Sequence, residues 1–297
     1  MIPACNLCPR RCGARREAER GDGFCKMGTL PVVARAALHF WEEPCISGTR
    51  GSGTVFFTGC TLQCVFCQNY KISAERAVGK ILTPKALSDV FFRLVEQGAQ
   101  NINLVSGAQF VPAIAEALAI CPLPVPVVYN SGGYESMETL HLLDGLVQIY
   151  LPDYKYDDPT LAARLSGAAD YVDVARPAIL EMARQTGPCV FAEDGALQRG
   201  TIVRHLLLPG HTRNTIAALD WLKANLPDGV LVSLMGQYTP CRTIDAFPEL
   251  SRRVTKREYE KVQDHLFALG LDGFVQELSS ARKSYIPAFD LEGVRDL

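Results

Sequence analysis

Gly59-Cys60-Thr61-Leu62-Gln63-Cys64-Val65-Phe66-Cys67-Gln68-Asn69 places three cysteines within eight residues, just after the run Thr54-Val55-Phe56-Phe57. The i, i+4, i+7 spacing also describes one face of a helix, where cysteine packs as a small hydrophobe. The β-branched and aromatic run ending near a glycine argues instead for a strand passing into a loop. On a loop, thiolates converge on one soft metal centre. Structural zinc takes four ligands, and a four-iron electron carrier takes four cysteines. Three thiolates on a four-iron cube leave one iron open to a substrate or cofactor.

The 297 residues carry a formal net charge of -2, with 48% hydrophobic residues, enough for a sizeable core. That balance gives no general attraction to nucleic acid or to an anionic membrane. No apolar run approaches a membrane span and the first residues lack a signal-peptide core, so a cytoplasmic protein is expected. There thiols stay reduced, and clustered cysteines read as metal ligands rather than disulfides. Cys5, Cys8, Cys12 and Cys25 form a second group, which suits either a tetrahedral zinc site or a second iron-sulfur cluster. Residues 1–30 hold few large apolar side chains and need such a staple.

From residue 54 onward, strand and helix patterns alternate. Residues 54–57, 102–105, 125–129, 146–151, 201–208 and 229–234 read as short buried strands. Residues 83–97, 111–120, 135–143, 161–186 with interruptions, and 214–226 read as helices, with Thr83-Pro84 opening the first. Such alternation predicts a parallel sheet with right-handed crossovers. Six units without a Gly-x-Gly-x-x-Gly motif suit a partial α/β barrel, in which chemistry sits at strand C-termini. Four segments are expected: a Cys-rich appendage (1–30), an N-terminal strand and loop (31–53), the barrel (54–254), and a C-terminal helix and tail (255–297) opening on Thr-x-x-Glu. Glu42 and Glu43 read as a solvated loop, and His205 as a satisfied core histidine on the opposite strand face from Arg204.

Cys60, Cys64, Phe66 and Cys67 match Cys-x3-Cys-x-aromatic-Cys, and here the chain resembles the radical SAM superfamily. The resemblance extends over Cys5 to Arg10, Glu42-Glu43-Pro44, Tyr129 to Tyr134, Tyr150 to Tyr156, Val203 to Gly210 and Met235 to Tyr238. It is nearest to the pyruvate formate-lyase activating enzyme-like branch, whose relatives activate glycyl radical enzymes. It implies a partial (β/α)6 barrel, a [4Fe-4S] cluster on Cys60, Cys64 and Cys67, and S-adenosylmethionine with its adenine beside Phe66.

Further roles follow only from that resemblance. Ser106-Gly107-Ala108-Gln109 stands where the family carries Gly-Gly-Glu against the cofactor amino group, so Ser106, Gly107 and Gln109 are cofactor candidates without the usual negative charge. Asn130, Ser131, Asp153 and Lys155 occupy the activase positions that hold a monovalent cation and the cofactor; a solvated turn is the plainer reading of the last two. Arg204, costly to bury without a carboxylate, is expected to engage that of S-adenosylmethionine. Gln237, Tyr238 and Cys241 follow the last strand; Gln237 is a cofactor candidate and all three are catalytic candidates.

The expected activity is one-electron cleavage of S-adenosylmethionine and abstraction of a substrate hydrogen under anaerobic conditions. A flavodoxin- or ferredoxin-type electron donor is implied, with a glycyl radical enzyme or another protein or peptide as substrate. Modification of a small molecule or peptide is the rival activity. A non-enzymatic two-cluster electron carrier is the rival of another class, disfavoured by three cysteines where a carrier wants four.

Overall fold

The computed structural model describes residues 1–242, 244–276, 278 and 287–297. The strands are β1 (Ile2–Cys5), β2 (Ala14–Arg16), β3 (Val32–His39), β4 (Ser52–Phe57), β5 (Lys80–Ile81), β6 (Ile102–Val105), β7 (Val127–Ser131), β8 (Ile149–Pro152), β9 (Val190–Phe191), β10 (Leu197–Leu206), β11 (Leu231–Met235) and β12 (Gly273–Val275). The helices are α1 (Pro44–Ser47), α2 (Tyr70–Ser73), α3 (Pro84–Glu96), α4 (Val111–Ile120), α5 (Met137–Leu143), α6 (Pro159–Ser166), α7 (Tyr171–Thr186), α8 (Thr212–Asn225) and α9 (Lys256–Leu269).

β1 and β2 pair as a separate hairpin, and the other described strands join one sheet ordered β12-β11-β10-β8-β7-β6-β4-β3-β5, with β9 on β10. Neighbours from β4 through β12 along that path run parallel, while β3 and β5 are antiparallel additions. All six expected parallel strands are present, with helices in the crossovers, giving the partial α/β barrel. β12 adds a seventh within the expected C-terminal tail. Three residues beginning with glycine give no readable alternation, yet Gly273 is required there: φ is +147° and a Cβ would meet the Val232 carbonyl oxygen at 1.9 Å. The rest of that expected tail lies partly outside the described residues. Beyond them, Leu291 N–H donates to the Ala34 carbonyl (3.1 Å) and Ala36 N–H to that of Glu292 (2.9 Å). The chain end thereby covers the outer edge of β3, which would otherwise offer unpaired backbone groups.

Alternation along the strands sorts the two faces. Val55, Phe57, Leu104, Tyr129 and Tyr150 pack outward under α3, α4 and α5, and Val203, Val232 and Leu234 under α6 to α9. Full burial of each such side chain contributes roughly 1.5–3 kcal/mol. Their neighbours point inward. Val128, Ile149, Leu151 and Ile202 close the barrel floor against Cys45 and Ile46 of α1. Above them comes a polar layer of Asn130, Asp153 and Arg204, then Phe56, Val105, Leu206 and Met235 around a cavity. No described helix is long and apolar enough to cross a membrane.

The Thr-x-x-Glu signal marks a true helix start. The Thr255 hydroxyl accepts from Glu258 N–H (3.2 Å) and the Glu258 carboxylate accepts from Thr255 N–H (2.8 Å). Thr255→Ala should lower the stability of the whole barrel by about 1 kcal/mol, read as a lower urea midpoint at unchanged slope.

Candidate metal and cofactor site

The strand-to-loop transition after Phe57 carries Cys60, Cys64 and Cys67 into the wall of a cavity of about 210 Å³ at the C-terminal ends of the parallel strands. The loop is held from outside: Val65 N–H donates to the Leu165 carbonyl (2.9 Å), and Arg10 donates to the carbonyls of Thr61 (2.8 Å) and Leu62 (3.4 Å). Gln63, within the loop, adopts φ +53°, a left-handed conformation uncommon for its type. Each sulfur accepts a hydrogen bond: Cys60 from Leu62 N–H (3.4 Å), Cys64 from the Ser166 hydroxyl (3.0 Å), and Cys67 from the Ser73 hydroxyl (3.4 Å).

Burial raises the Cys60 thiol above its ordinary pKa and pushes Cys67 up to about 12. Thiolates at these positions therefore need a cationic partner. Among the described residues no three Cys, His, Asp or Glu side chains are arranged to hold a single ion. A cube spreads its ligands over separate irons, so three soft donors with hydrogen bonds to each sulfur, around one cavity, fit an iron-sulfur cluster. Phe66 lines the same cavity, its ring 6.3 Å from and edge-on to Tyr156.

Opposite the cysteines lies a lattice of charges. Arg204 donates from Nε to Asp153 (2.9 Å), from Nη1 to Glu42 (3.0 Å) and from Nη2 to Asn130 Oδ1 (2.5 Å). Lys155 pairs with the second Asp153 oxygen, and Glu42 also accepts from Asn103 and Asn130 (both 3.2 Å). Burial opposes ionisation of Asp153, but Arg204 and Lys155 together hold its carboxyl below the usual range. Burial likewise opposes the Lys155 ammonium, which Asp153 and then Cys64 hold above its ordinary pKa. Gly132 and Gly133 bring the end of β7 onto these groups. At Gly133, φ is +74° and a Cβ would meet the Asp153 carbonyl at 2.4 Å.

These contacts correct several expectations. Glu42 and Glu43 are not a solvated loop: Glu42 balances Arg204, and Glu43 is 4% exposed, its carboxyl raised by burial. Asp153 and Lys155 form no solvated turn; both face the cavity. Ser106, Asn130, Ser131, Arg204, Gln237 and Tyr238 also line it, whereas Gly107, Gln109 and Cys241 do not. Gln109 turns its amide N–H groups to the carbonyls of Thr58 (3.2 Å) and Gly59 (3.1 Å), at the entry to the cysteine loop, and of Ser106 (2.9 Å), just past the end of β6. Ser73, Asn103 and Ser166 were not singled out from sequence; isolated serines and asparagines carry no spacing signal. His205 is the core histidine expected, bonded to the Tyr154 carbonyl (2.6 Å) and the Thr215 hydroxyl (3.0 Å).

Burial pushes the His205 pKa down to about 4. Its unfolded value is near 6.5, so the unfolded chain binds the extra proton first. The stabilisation is present above pH 6.5 and is lost as pH falls toward 4, by up to roughly 3 kcal/mol. His205→Gln should flatten that part of the stability profile, measured by urea unfolding at pH 7, 6 and 5.

No protein-family model matches the chain. An uncharacterised protein of Methanocaldococcus jannaschii is 31% identical over 277 residues, covering 90% of this chain and 75% of the relative. The chain belongs to that protein's family. Among solved structures, a radical SAM methyltransferase from Sphaerobacter thermophilus aligns with TM-score 0.51 at 16% identity, over 76% of this chain and 66% of that one. Streptococcus suis SuiB bound to precursor peptide SuiA aligns with TM-score 0.49 at 14% identity, over 75% of this chain; the match spans about half, 48%, of SuiB. The fold is the radical SAM partial barrel, and the cysteine loop occupies the C-terminal mouth of its first parallel strand.

Proposed function

We propose that this member of the family is a radical SAM enzyme. The observation that carries the reading is the meeting of Cys60, Cys64, Phe66 and Cys67 with Lys155 and Arg204 around one cavity. The three cysteines would hold a [4Fe-4S] cluster, and the cavity would take S-adenosylmethionine. With both bound, the site supplies one-electron cleavage of the sulfonium to methionine and a carbon radical that removes a substrate hydrogen. The protein's part is positional. Phe66 offers an aromatic face for the adenine. Arg204 retains N–H groups beyond its three bonds, and with Lys155 it supplies cations for the amino-acid carboxylate. Enclosure by Phe56, Leu206 and Met235 keeps water from the reacting atoms.

Asn130, Ser131, Asp153 and Lys155, which stand at the activase motif positions with Asn130 in place of an aspartate and Ser131 in place of a threonine, lie together at this cavity, which supports a glycine of a partner enzyme as the source of the hydrogen. An electron donor of flavodoxin or ferredoxin type would serve. A monovalent cation gains no support, because the two Asp153 oxygens are engaged by Arg204 and Lys155. The absence of an acidic residue at Ser106 to Gln109 favours, as the second reading, a small-molecule or peptide substrate.

The test is anaerobic reconstitution with iron and sulfide, then dithionite and S-adenosylmethionine. Formation of 5′-deoxyadenosine and methionine in equal amounts is expected. Cluster-loaded protein that neither binds nor cleaves the cofactor, with candidate substrates present, would overturn the reading. Mixing with glycyl radical enzymes should give a glycyl EPR doublet; a partner-independent mass change in a metabolite points to the second reading.

A further inference from the structure

Outside the large cavity, Cys5, Cys8, Cys12 and Cys25 line a second, small cavity of about 20 Å³. Three come from the β1–β2 hairpin and its turn, closed by Arg11 N–H to the Cys8 carbonyl (2.9 Å) and Gly13 N–H to that of Cys5 (3.0 Å). The fourth comes from the turn in which Lys26 N–H meets the Gly23 carbonyl (3.0 Å). Gly23 leaves room for the Cys12 sulfur, which stands 2.9 Å from where a Cβ would be.

An independent feature points to a ligand here. Arg16 is 2% exposed, and among the described residues no carboxylate lies within ion-pairing distance of it. It donates to the carbonyls of Met27 (3.1 Å), Gly28 and Gln109 (2.6 Å), and Nη1 faces the Cys5 sulfur at 3.6 Å. A buried guanidinium without counter-charge is costly. A metal centre held by four thiolates is anionic and supplies that charge.

We propose that Cys5, Cys8, Cys12 and Cys25 hold a second four-iron cluster, which relays single electrons from a donor protein to the cluster on Cys60, Cys64 and Cys67. Four thiolates around an open cavity, beside the loop that carries Cys60, Cys64 and Cys67, suit a cube whose ligands sit on separate irons. The cavity is shared with the other loop. Thr61 lines the small cavity and the adjacent Cys60 the large one, so one residue step, about 3.8 Å, links their walls. Gln63 Nε2 donates to the Phe24 carbonyl (2.9 Å), tying the two segments. Cys12 is exposed, which gives a donor protein an edge to approach. In each transfer the donor is oxidised by one electron and the second cluster reduced; it is reoxidised as the Cys60 cluster gains that electron. The relay, though not the second cluster itself, rests on the function proposed above.

The deciding protein is the triple variant Cys60→Ala/Cys64→Ala/Cys67→Ala, reconstituted anaerobically. About four irons per chain and the EPR signal of one reduced cluster after dithionite are expected. Zinc in place of iron, or no bound metal, overturns the second cluster. Reduction of that cluster by a reduced ferredoxin-type protein supports the relay; failure to take the electron overturns it. In Cys8→Ser/Cys12→Ser, the ratio of cofactor cleavage with the donor protein to that with dithionite should fall, and an unchanged ratio counts against the relay. Wild-type protein with iron at both sites that neither binds nor cleaves the cofactor, with candidate substrates present, would refute the radical reading while leaving the second cluster standing.

Discussion

Cys64→Ala should reduce 5′-deoxyadenosine formation to below about one per cent of wild type, because a cube left with two protein ligands is not retained. Cys64 is the most informative of the three. It is 6% exposed, and its sulfur accepts from Ser166, whose hydroxyl is in turn within 2.6 Å of the Tyr156 hydroxyl. The loop itself should survive the substitution, since its anchors are the Arg10 and Val65 backbone contacts rather than the sulfur. Iron content, cleavage and circular dichroism measured together separate loss of the cluster from loss of the fold. A variant that keeps its full iron and its cleavage would remove Cys64 from the ligand set. Ser166→Ala makes a graded companion: the cluster stays but loses a hydrogen-bond donor, so its reduction potential should fall and turnover drop by about 10- to 100-fold.

The barrel was legible because the inner strands are mostly short and apolar and alternate with helices, a pattern that a parallel sheet imposes. Alternation also placed Arg204 and His205 on opposite faces correctly. The candidate site was legible where its residues lie within one loop, as at Cys60, Cys64 and Cys67, which line one cavity. It was not legible where partners arrive from distant segments. Glu42 lies 162 positions before Arg204, and general exposure statistics for glutamate pointed to solvent. Arg204 itself carried the clue, since a cation in an apolar strand demands a carboxylate from somewhere. Gln109 failed for a related reason. Its position corresponds to the glutamate of the family pattern, but the backbone carbonyls of Thr58 and Gly59, and that of nearby Ser106, take up its amide N–H groups. β12 was too short to be seen against its own glycine.

Arg204→Leu should be the most damaging single substitution in the charge lattice, costing about 3–5 kcal/mol of stability. The Arg204 and Glu42 side chains are 11% exposed and that of Asp153 17%, so solvent cannot take over the role of the guanidinium. Removing the cation leaves Asp153 with Lys155 alone and Glu42 with only the amides of Asn103 and Asn130. Glu43, buried nearby and already raised in pKa by its surroundings, loses the positive charge that lowers it. Arg204→Lys distinguishes charge from geometry. It keeps the cation, but a single ammonium cannot reproduce a planar fork reaching Asp153, Glu42 and Asn130 at once. It should therefore recover most of the stability while binding S-adenosylmethionine more weakly than wild type. Urea midpoints read the first effect and a cofactor titration on cluster-loaded protein the second. If Arg204→Lys binds the cofactor as wild type does, Arg204 serves only the ion-pair lattice, and Lys155 becomes the cation that meets the carboxylate.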